Sequence, residues 1–466
     1  MFVNRQIFRE YDIRGEVAAD LPTELVVRLG RAFAGYCCER GGHRLVMGRD
    51  MRSTSDRLRS DLLEGLLAGG MEVTDLGVCP TPALYFGSLH LGADAGVMIT
   101  GSHNPPAENG FKLLFDQRPV YGPEIQKILA SVESDLPGRV GSVRGSVTEI
   151  RLLDEYQSGL RAGLKPVSKR LRVVVDCGNG TAGPVAIPLY EALGCEVVPL
   201  FAEPDGSFPN HHPDPTVAEN LRDLSRVVCR RGADLGLAFD GDSDRLGAVD
   251  ERGRILWGDD LLTIFARAVL EEHPGATVIG DVKCSGRLFS DVKERGGRAI
   301  MWKSGHSLIK AKAREESALL AGEWSGHFCF ADRFFGFDDG IYAGGRLIEV
   351  CGRGSVPCSG LLEDLAPVCS VPEIRLDCPD PVKFAVMDRL IAHFSDRYDT
   401  ITLDGVRIVT DDAWALIRAS NTQPVLVLRY EASSAERLEA LRTSVEEKVL
   451  ETIKASLSGD SQCSTS

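Results

Sequence analysis

Residues 235–245 read LGLAFDGDSDR, an apolar run that gives way at once to a loop carrying carboxylates at alternate positions. A buried strand that ends in a polar loop is the working unit of an open α/β sheet, because helix amino termini and backbone N–H groups converge beyond the carboxyl ends of its strands. The same pattern occurs twice more: AGVMIT at 95–100 runs into GSHNP, and LLAGE at 319–323 runs into WSGH. Three such loops facing one cleft predict a site between domains.

Around each loop the periodicity alternates between helix and strand. Residues 1–153 place the helical stretches ELVVRLGRAFAGY and DRLRSDLLEGLLAGG among the short apolar runs RLVMGRD and AGVMIT, which predicts αβ units and a parallel sheet. The order restarts at 154–252 with strand LRVVVDCGNG, helix GPVAIPLYEALG, strand CEVVPLF and helix AENLRDLSRVVCRRG, and again at 253–366. After the turn-rich CGRGSVPCSG, short β-branched runs (EIRLD, TITLDG, VRIVT, VLVLRY) and a charged helix at 435–454 predict an antiparallel α+β domain at 367–458, with a flexible polar tail at 459–466. The fold class is therefore α/β: three similar αβ domains with mixed sheets plus a C-terminal α+β domain around a central cleft.

Composition narrows the function. A chain of 466 residues exceeds one hydrophobic core. Its 67 acidic against 53 basic residues, net charge -14, argue against nucleic-acid binding, which needs a basic surface. Thirteen cysteines with no C-x-x-C pair form neither a disulfide framework nor a zinc ribbon and fit a reducing cytosol. The start, MFVNRQIFREYDIRG, lacks the apolar core of a signal peptide, and no apolar run approaches the ~20 residues of a membrane span. A cytoplasmic protein without a membrane partner is expected.

Four segments carry chemistry. Asp240, Asp242 and Asp244 can turn toward one hard cation, magnesium or calcium. An EF-hand is excluded although Glu251 stands at the twelfth position, because Arg245 occupies the sixth, where glycine is needed. The run also resembles the strand-DxD signature of haloacid-dehalogenase phosphotransferases, with Asp240 as nucleophile and Asp338 and Asp339 as later acids. Ser102, between glycine and His-Asn-Pro, sits in a sharp turn that holds its hydroxyl outward; GxSxG is absent and the adjacent His103 is poorly placed as a hydrolase base. Arg418, Ser420, Asn421, Thr422 and Arg429 combine guanidiniums, hydroxyls and turn amides suited to a phosphate dianion. Glu323 and Ser325 supply a carboxylate and a hydroxyl suited to sugar hydroxyls beside the aromatic Trp324. Each segment also has an ordinary structural reading as a capped or solvated turn.

In this order, FREYDIRG, TGSHNPPAENGFK, DGDSDR, GEWSGH and RASNTQPVLVLRYE resemble the α-D-phosphohexomutases, with bacterial phosphomannomutase/phosphoglucomutase the nearest pattern. The resemblance implies a phosphorylated Ser102 and Mg²⁺ bound by Asp240, Asp242, Asp244 and the Ser102 phosphate. It implies Arg245 against the phosphoserine, and Lys112, His103 and His327 as candidates for proton transfer or charge stabilisation. Glu323, Ser325 and His327 would bind ring hydroxyls, and the Arg418–Arg429 segment the phosphate that is not reacting. Tyr11, Arg14, Lys283 and His306 would line the cleft. The substrates implied are hexose 1- and 6-phosphates of mannose or glucose, with a hexose 1,6-bisphosphate as primer, on a monomer. A bisphosphate that turns end for end calls for a fourth domain that rotates about the 360s. One departure is Trp324 in GE-x-SGH, where methionine is expected for mannose/glucose enzymes and glutamine for phosphoglucosamine mutases.

Overall fold

The computed structural model describes residues 3–134, 144–354, 356–420 and 423–463. Among the described residues four sheets follow one another along the chain. In the second, Arg172–Asp176, Glu196–Leu200 and Leu235–Phe239 run parallel. Leu246–Asp250 then returns antiparallel to Leu235–Phe239. Both strands of this pair are buried along their whole length, which is why the run reads as continuously apolar rather than alternating.

The third sheet repeats the plan: Leu320–Gly322 lies parallel to Thr277–Asp281 and is followed by the antiparallel Phe328–Phe330. In the first sheet Ala95–Ile99, Arg44–Arg49, Glu72–Val78 and Ser146–Glu149 are parallel. Glu108–Phe115, however, runs antiparallel to Ala95–Ile99 and to Ile13–Glu16. The first sheet thus joins parallel and antiparallel pairs, as the mixed-sheet fold class expects. A parallel return needs a crossover of a dozen or more residues, and the loop after Ala95–Ile99 is too short for it. Each of the three loops is therefore a hairpin tip held at the end of a buried strand.

The fourth sheet is antiparallel, with Val425–Ala432 between Ala413–Ala419 on one side and Ile374–Asp377 on the other. Helices Asp380–Ser395 and Ala435–Cys463 cover it. The last helix extends beyond 454 and into the stretch read as a tail.

One apolar core runs through the first three domains, including Val46, Val175, Leu237, Phe265 and Leu347. The fourth domain has a core of its own, from Cys378 to Ile453. Its apolar link to the third domain is the small cluster of Val282, Trp414 and Leu416. Polar contacts complete that interface: Ser285 Oγ donates to Glu431 at 2.8 Å, and Arg407 Nη1 to the carbonyls of Val282 and Cys284 at 2.6 and 2.8 Å.

Candidate active site

Ser102 leaves the end of Ala95–Ile99 with φ 48°, in the left-handed region that a residue with a Cβ seldom adopts. Its peptide is tied on both sides. Thr100 Oγ1 accepts from Ser102 N at 2.8 Å, and Arg52 Nη2 donates to the Ser102 carbonyl at 2.9 Å. Buried Arg52 also donates to the carbonyls of Asn104 and Pro105, both at 2.6 Å, so one guanidinium staples the whole loop. Sequence reasoning missed Arg52, because nothing near it in the chain announces the loop it holds.

The partner of the Ser102 hydroxyl comes from the second domain: Oγ donates to Asp240 Oδ2 at 2.8 Å. The two loops meet backbone to backbone. A Cβ on Gly241 would stand 2.5 Å from the Ser102 carbonyl oxygen, so the approach requires glycine. His103 Nδ1 lies 3.1 Å from Ser102 Oγ. Burial, reinforced by Arg245 and Arg14, pushes His103 well below the usual imidazole range, so this ring is neutral at pH 7.

Asp240, Asp242 and Asp244 are fully buried, with ligand atoms within 4.8 Å of one another. Lys112, on the hairpin strand Glu108–Phe115, donates to Asp242 Oδ2 at 2.6 Å and to Asp244 Oδ2 at 2.5 Å. Thr81 Oγ1 also donates to Asp242 Oδ2 at 2.6 Å. The remaining oxygens, Asp242 Oδ1 and Asp244 Oδ1, are buried with no hydrogen-bond partner. Unpaired buried acceptors converging with a third carboxylate fit a hard divalent cation. Burial and the charges of Asp242 and Asp244 raise the Asp240 pKa well above the ordinary carboxylate value, a strain that a cation relieves. Burial opposes the Lys112 charge, but Asp242 and Asp244 outweigh it and hold the ammonium protonated.

Arg245 joins this loop to the third domain. Its N donates to Asp240 Oδ1 at 3.1 Å, and its Nε to His327 Nε2 at 3.0 Å. Since Nε2 accepts, the His327 proton belongs on Nδ1, which faces Asp338 Oδ2 at 3.0 Å and Asp244 Oδ1 at 3.6 Å. Asp338 is fully buried, accepts from Lys310 Nζ at 2.6 Å and lies 3.5 Å from His306 Nδ1. Burial opposes its charge, yet Lys310 and the two imidazoles bring its pKa well below the ordinary value. Burial and Lys310 bring His306 down to about 4, and its ring stacks on His327 at 5.3 Å. Asp339, next in the chain, caps helix Gly340–Arg353 by accepting from Tyr342 N at 2.8 Å. The pair read as possible dehalogenase acids is thus divided between orienting a histidine and starting a helix. Asp240 likewise has both oxygens engaged, by Ser102 and by the Arg245 amide.

Tyr11 donates to the Ser304 carbonyl at 2.8 Å, and Arg14 to Asn104 Oδ1 at 2.9 Å and Asp12 Oδ2 at 2.6 Å. Glu323 Oε1 accepts from Gly305 N at 2.6 Å, and Ser325 is half-buried beside it. Trp324 stacks on Trp257 at 5.6 Å, with Lys283 Nζ 5.3 Å and the Arg429 guanidinium 4.7 Å from its ring. Most of its bulk is covered by these neighbours.

Arg418 donates to Asp404 at 2.9 Å, and the Ser420 carbonyl accepts from Lys383 at 2.6 Å. Asn421 and Thr422 lie outside the described residues. Arg429 is not brought to the cavity: it donates to Asp259 Oδ2 at 2.9 Å and to the Lys283 carbonyl, beneath Trp324. It lies further along its strand than Val427, which does line the cavity, and there the third domain covers the sheet.

One cavity of about 760 Å³ collects the loops of all four domains, with Tyr11, Ser102, Arg245, Glu323, His327 and Arg418 in its wall. A hydroxyl locked against a cation-binding cluster, sharing a cavity with a guanidinium from another domain, belongs to phosphoryl-transfer chemistry. Four family models match consecutive parts of the chain: phosphoglucomutase/phosphomannomutase alpha/beta/alpha domain I at residues 5–137, domain II at 154–253, domain III at 257–368 and the C-terminal domain at 373–448. A phosphomannomutase/phosphoglucomutase of Pseudomonas putida is 45% identical over 437 residues, 94% of each chain. A phosphoglucomutase of Neisseria gonorrhoeae is 43% identical over 444 residues, covering 94% of this chain and 96% of its own. The crystal structure of a phosphoglucomutase/phosphomannomutase family protein from Burkholderia thailandensis superposes with a TM-score of 0.89 at 40% identity, covering 98% of each chain. This chain belongs to the phosphoglucomutase/phosphomannomutase family of α-D-phosphohexomutases.

Proposed function

We propose that the chain interconverts the 1- and 6-phosphates of glucose and mannose through a phosphoserine at Ser102 and a 1,6-bisphosphate intermediate. The observation that carries this is the Ser102–Asp240 hydrogen bond across two domains, beside carboxylate oxygens left unpaired. Asp240, Asp242 and Asp244 would hold Mg²⁺, whose charge, when bound, offsets that of the phosphoryl oxygens on Ser102.

The protein's task is alignment and charge. Phosphoserine gives its phosphoryl group to the free hydroxyl of a hexose monophosphate: the bond from phosphorus to Ser102 Oγ breaks as the bond to the sugar oxygen forms. The sugar hydroxyl attacks in line from the face opposite Ser102 Oγ, and the proton it gives up is balanced by the one that restores the Ser102 hydroxyl; His103, 3.1 Å from Ser102 Oγ, stands on the serine side of that transfer. Lys112, held charged by two carboxylates, and Arg245 neutralise the equatorial oxygens. His327 serves by fixing Arg245 through Nε2. The bisphosphate then turns, and the other phosphate returns to Ser102. Glu323 and Ser325 bind ring hydroxyls, while Arg418 and Ser420, with Asn421 and Thr422, hold the idle phosphate. The separate core of the fourth domain and its largely polar seam with the third suit a rotation that opens the cavity for this turn. One chain contributes every group, which favours a monomer. The described cysteines are all free, and among the described residues no helix is long and apolar enough to cross a membrane.

Product analysis tests the reading. Incubated with glucose 1-phosphate, Mg²⁺ and a trace of glucose 1,6-bisphosphate, the protein is expected to yield glucose 6-phosphate; release of inorganic phosphate instead would mark a phosphatase. Comparing kcat/KM for mannose, glucose and glucosamine 1-phosphates reads the effect of Trp324, with the glucosamine ester expected to be poorest.

Two variants probe particular roles. Arg418→Ala removes a charge-assisted contact of about 1.5–3 kcal/mol, so KM for glucose 1-phosphate is expected to rise roughly 10–100-fold. Asp338→Asn leaves the His327 Nδ1 proton without its carboxylate, and kcat is expected to fall roughly 10–100-fold with KM little changed. Steady-state kinetics on both checks this split; a KM effect alone in Asp338→Asn would contradict the positioning role.

A further inference from the structure

A second cavity, of about 710 Å³, opens between the first and third domains and shares no lining residue with the catalytic one. Its volume falls in the ~300–1,000 Å³ range of small-molecule sites. Flat apolar surface comes from Tyr85 and Tyr121 of the first domain and Phe335 and Phe337 of the third, with Tyr85 and Phe337 in contact at 5.5 Å. Phe335 is 52% exposed, a large apolar residue left facing water.

The charged groups of the wall favour an anion. Lys310, Arg118 and Arg314 line it, against the single carboxylate of Glu315, which is already engaged by Lys312 at 2.9 Å. Arg314 reaches across the domain boundary to donate to the Gln117 carbonyl at 3.2 Å, and Arg118 has Asp116 no closer than 3.8 Å. Neither guanidinium is closely paired with a carboxylate in these contacts.

Lys310 connects this cavity to the catalytic one. Its ammonium lies 4.4 Å from the centre of the Tyr85 ring, 3.3 Å from the Tyr85 hydroxyl and 2.6 Å from Asp338 Oδ1. The other Asp338 oxygen faces His327, which holds Arg245 beside Ser102. An anion drawn to Lys310 competes with Asp338 for the ammonium and so loosens the group that orients His327.

We propose that this cavity is an inhibitory site for a flat aromatic anion, a linked or fused ring system carrying one carboxylate or sulfonate. Rings lie among the aromatic side chains and the anion meets the basic edge, as cation–π and charge-assisted contacts favour. Binding here does not depend on the mutase reading; only the effect on turnover does.

The probe is 1-anilinonaphthalene-8-sulfonate, added to the full chain with Mg²⁺ and saturating glucose 1,6-bisphosphate so that the catalytic cavity is filled. One saturable rise in fluorescence is expected. Ala331→Trp, which fills the cavity from an exposed position, should weaken it at least about tenfold, and Arg314→Ala by about tenfold, the loss of one charge-assisted contact. Saturating probe should lower kcat for glucose 1-phosphate at constant KM, and Ala331→Trp should escape that inhibition. Absence of a saturable signal, displacement of the probe by bisphosphate, or unchanged affinity in both variants would overturn the site. Unchanged kcat at saturating probe would overturn its inhibitory role. A parent protein inactive on glucose 1-phosphate but binding the probe as described would instead count against the mutase reading alone.

Discussion

Ser102→Ala is expected to lower kcat for glucose 1-phosphate by about 10⁴-fold or more, because it removes the hydroxyl that meets Asp240 across the two loops. The substitution removes one hydrogen bond and leaves Asp240 Oδ2 without its donor, a loss of about 1–3 kcal/mol in stability. The fold is expected to survive, since the loop is held by Arg52 and Thr100 through backbone groups that alanine also has. Affinity for glucose 1,6-bisphosphate, measured by calorimetry, should stay within a few-fold of the parent value. Loss of turnover with retained binding separates the relay from a merely structural serine; parent-like turnover would refute it.

Removal of divalent cations has the second largest expected effect. Chelation by EDTA should abolish activity and added Mg²⁺ should restore it. Asp242→Asn should stay at least about 10³-fold slower at any Mg²⁺ concentration, as expected when a charge-stabilising group is lost. Stability supplies a readout free of catalysis. Three buried carboxylates with two unpaired oxygens repel one another, so Mg²⁺ should raise the Tm of the parent, by about 2.7 kcal/mol of stability at a hundredfold excess over Kd. Asp242→Asn relieves part of that repulsion and removes a ligand, so its Tm should respond little to Mg²⁺. An equal Mg²⁺ response in both proteins would place the cation elsewhere.

The features legible in the sequence were those written within one loop. Leu235–Phe239 announced itself by five consecutive buried positions, and the aspartates that follow it share a loop, so their convergence needed no tertiary knowledge. The direction of Glu108–Phe115 was also recoverable, because the loop before it cannot carry a parallel crossover. What stayed hidden depends on partners far along the chain. Arg52 shows its role only once folding lays the Ser102 loop over it, and Asp338 only once the third domain sets it against His327. Arg429 shows the converse: its motif marks a basic position on a strand, but strand alternation says which face a side chain takes and not which domain covers that face. Trp324 departs from the residue expected in its loop, and the partner that accommodates it, Trp257, comes from another part of the third domain.

The most direct test follows the phosphoryl group itself. The protein is incubated with ³²P-labelled glucose 1,6-bisphosphate and Mg²⁺, freed of ligand, and its labelled peptide is sequenced by mass spectrometry. The account predicts one phosphoryl group on Ser102, stable to acid and to hydroxylamine, that passes to glucose 6-phosphate on a chase. A hydroxylamine-labile phosphate on Asp240, or no label that can be chased, would contradict it.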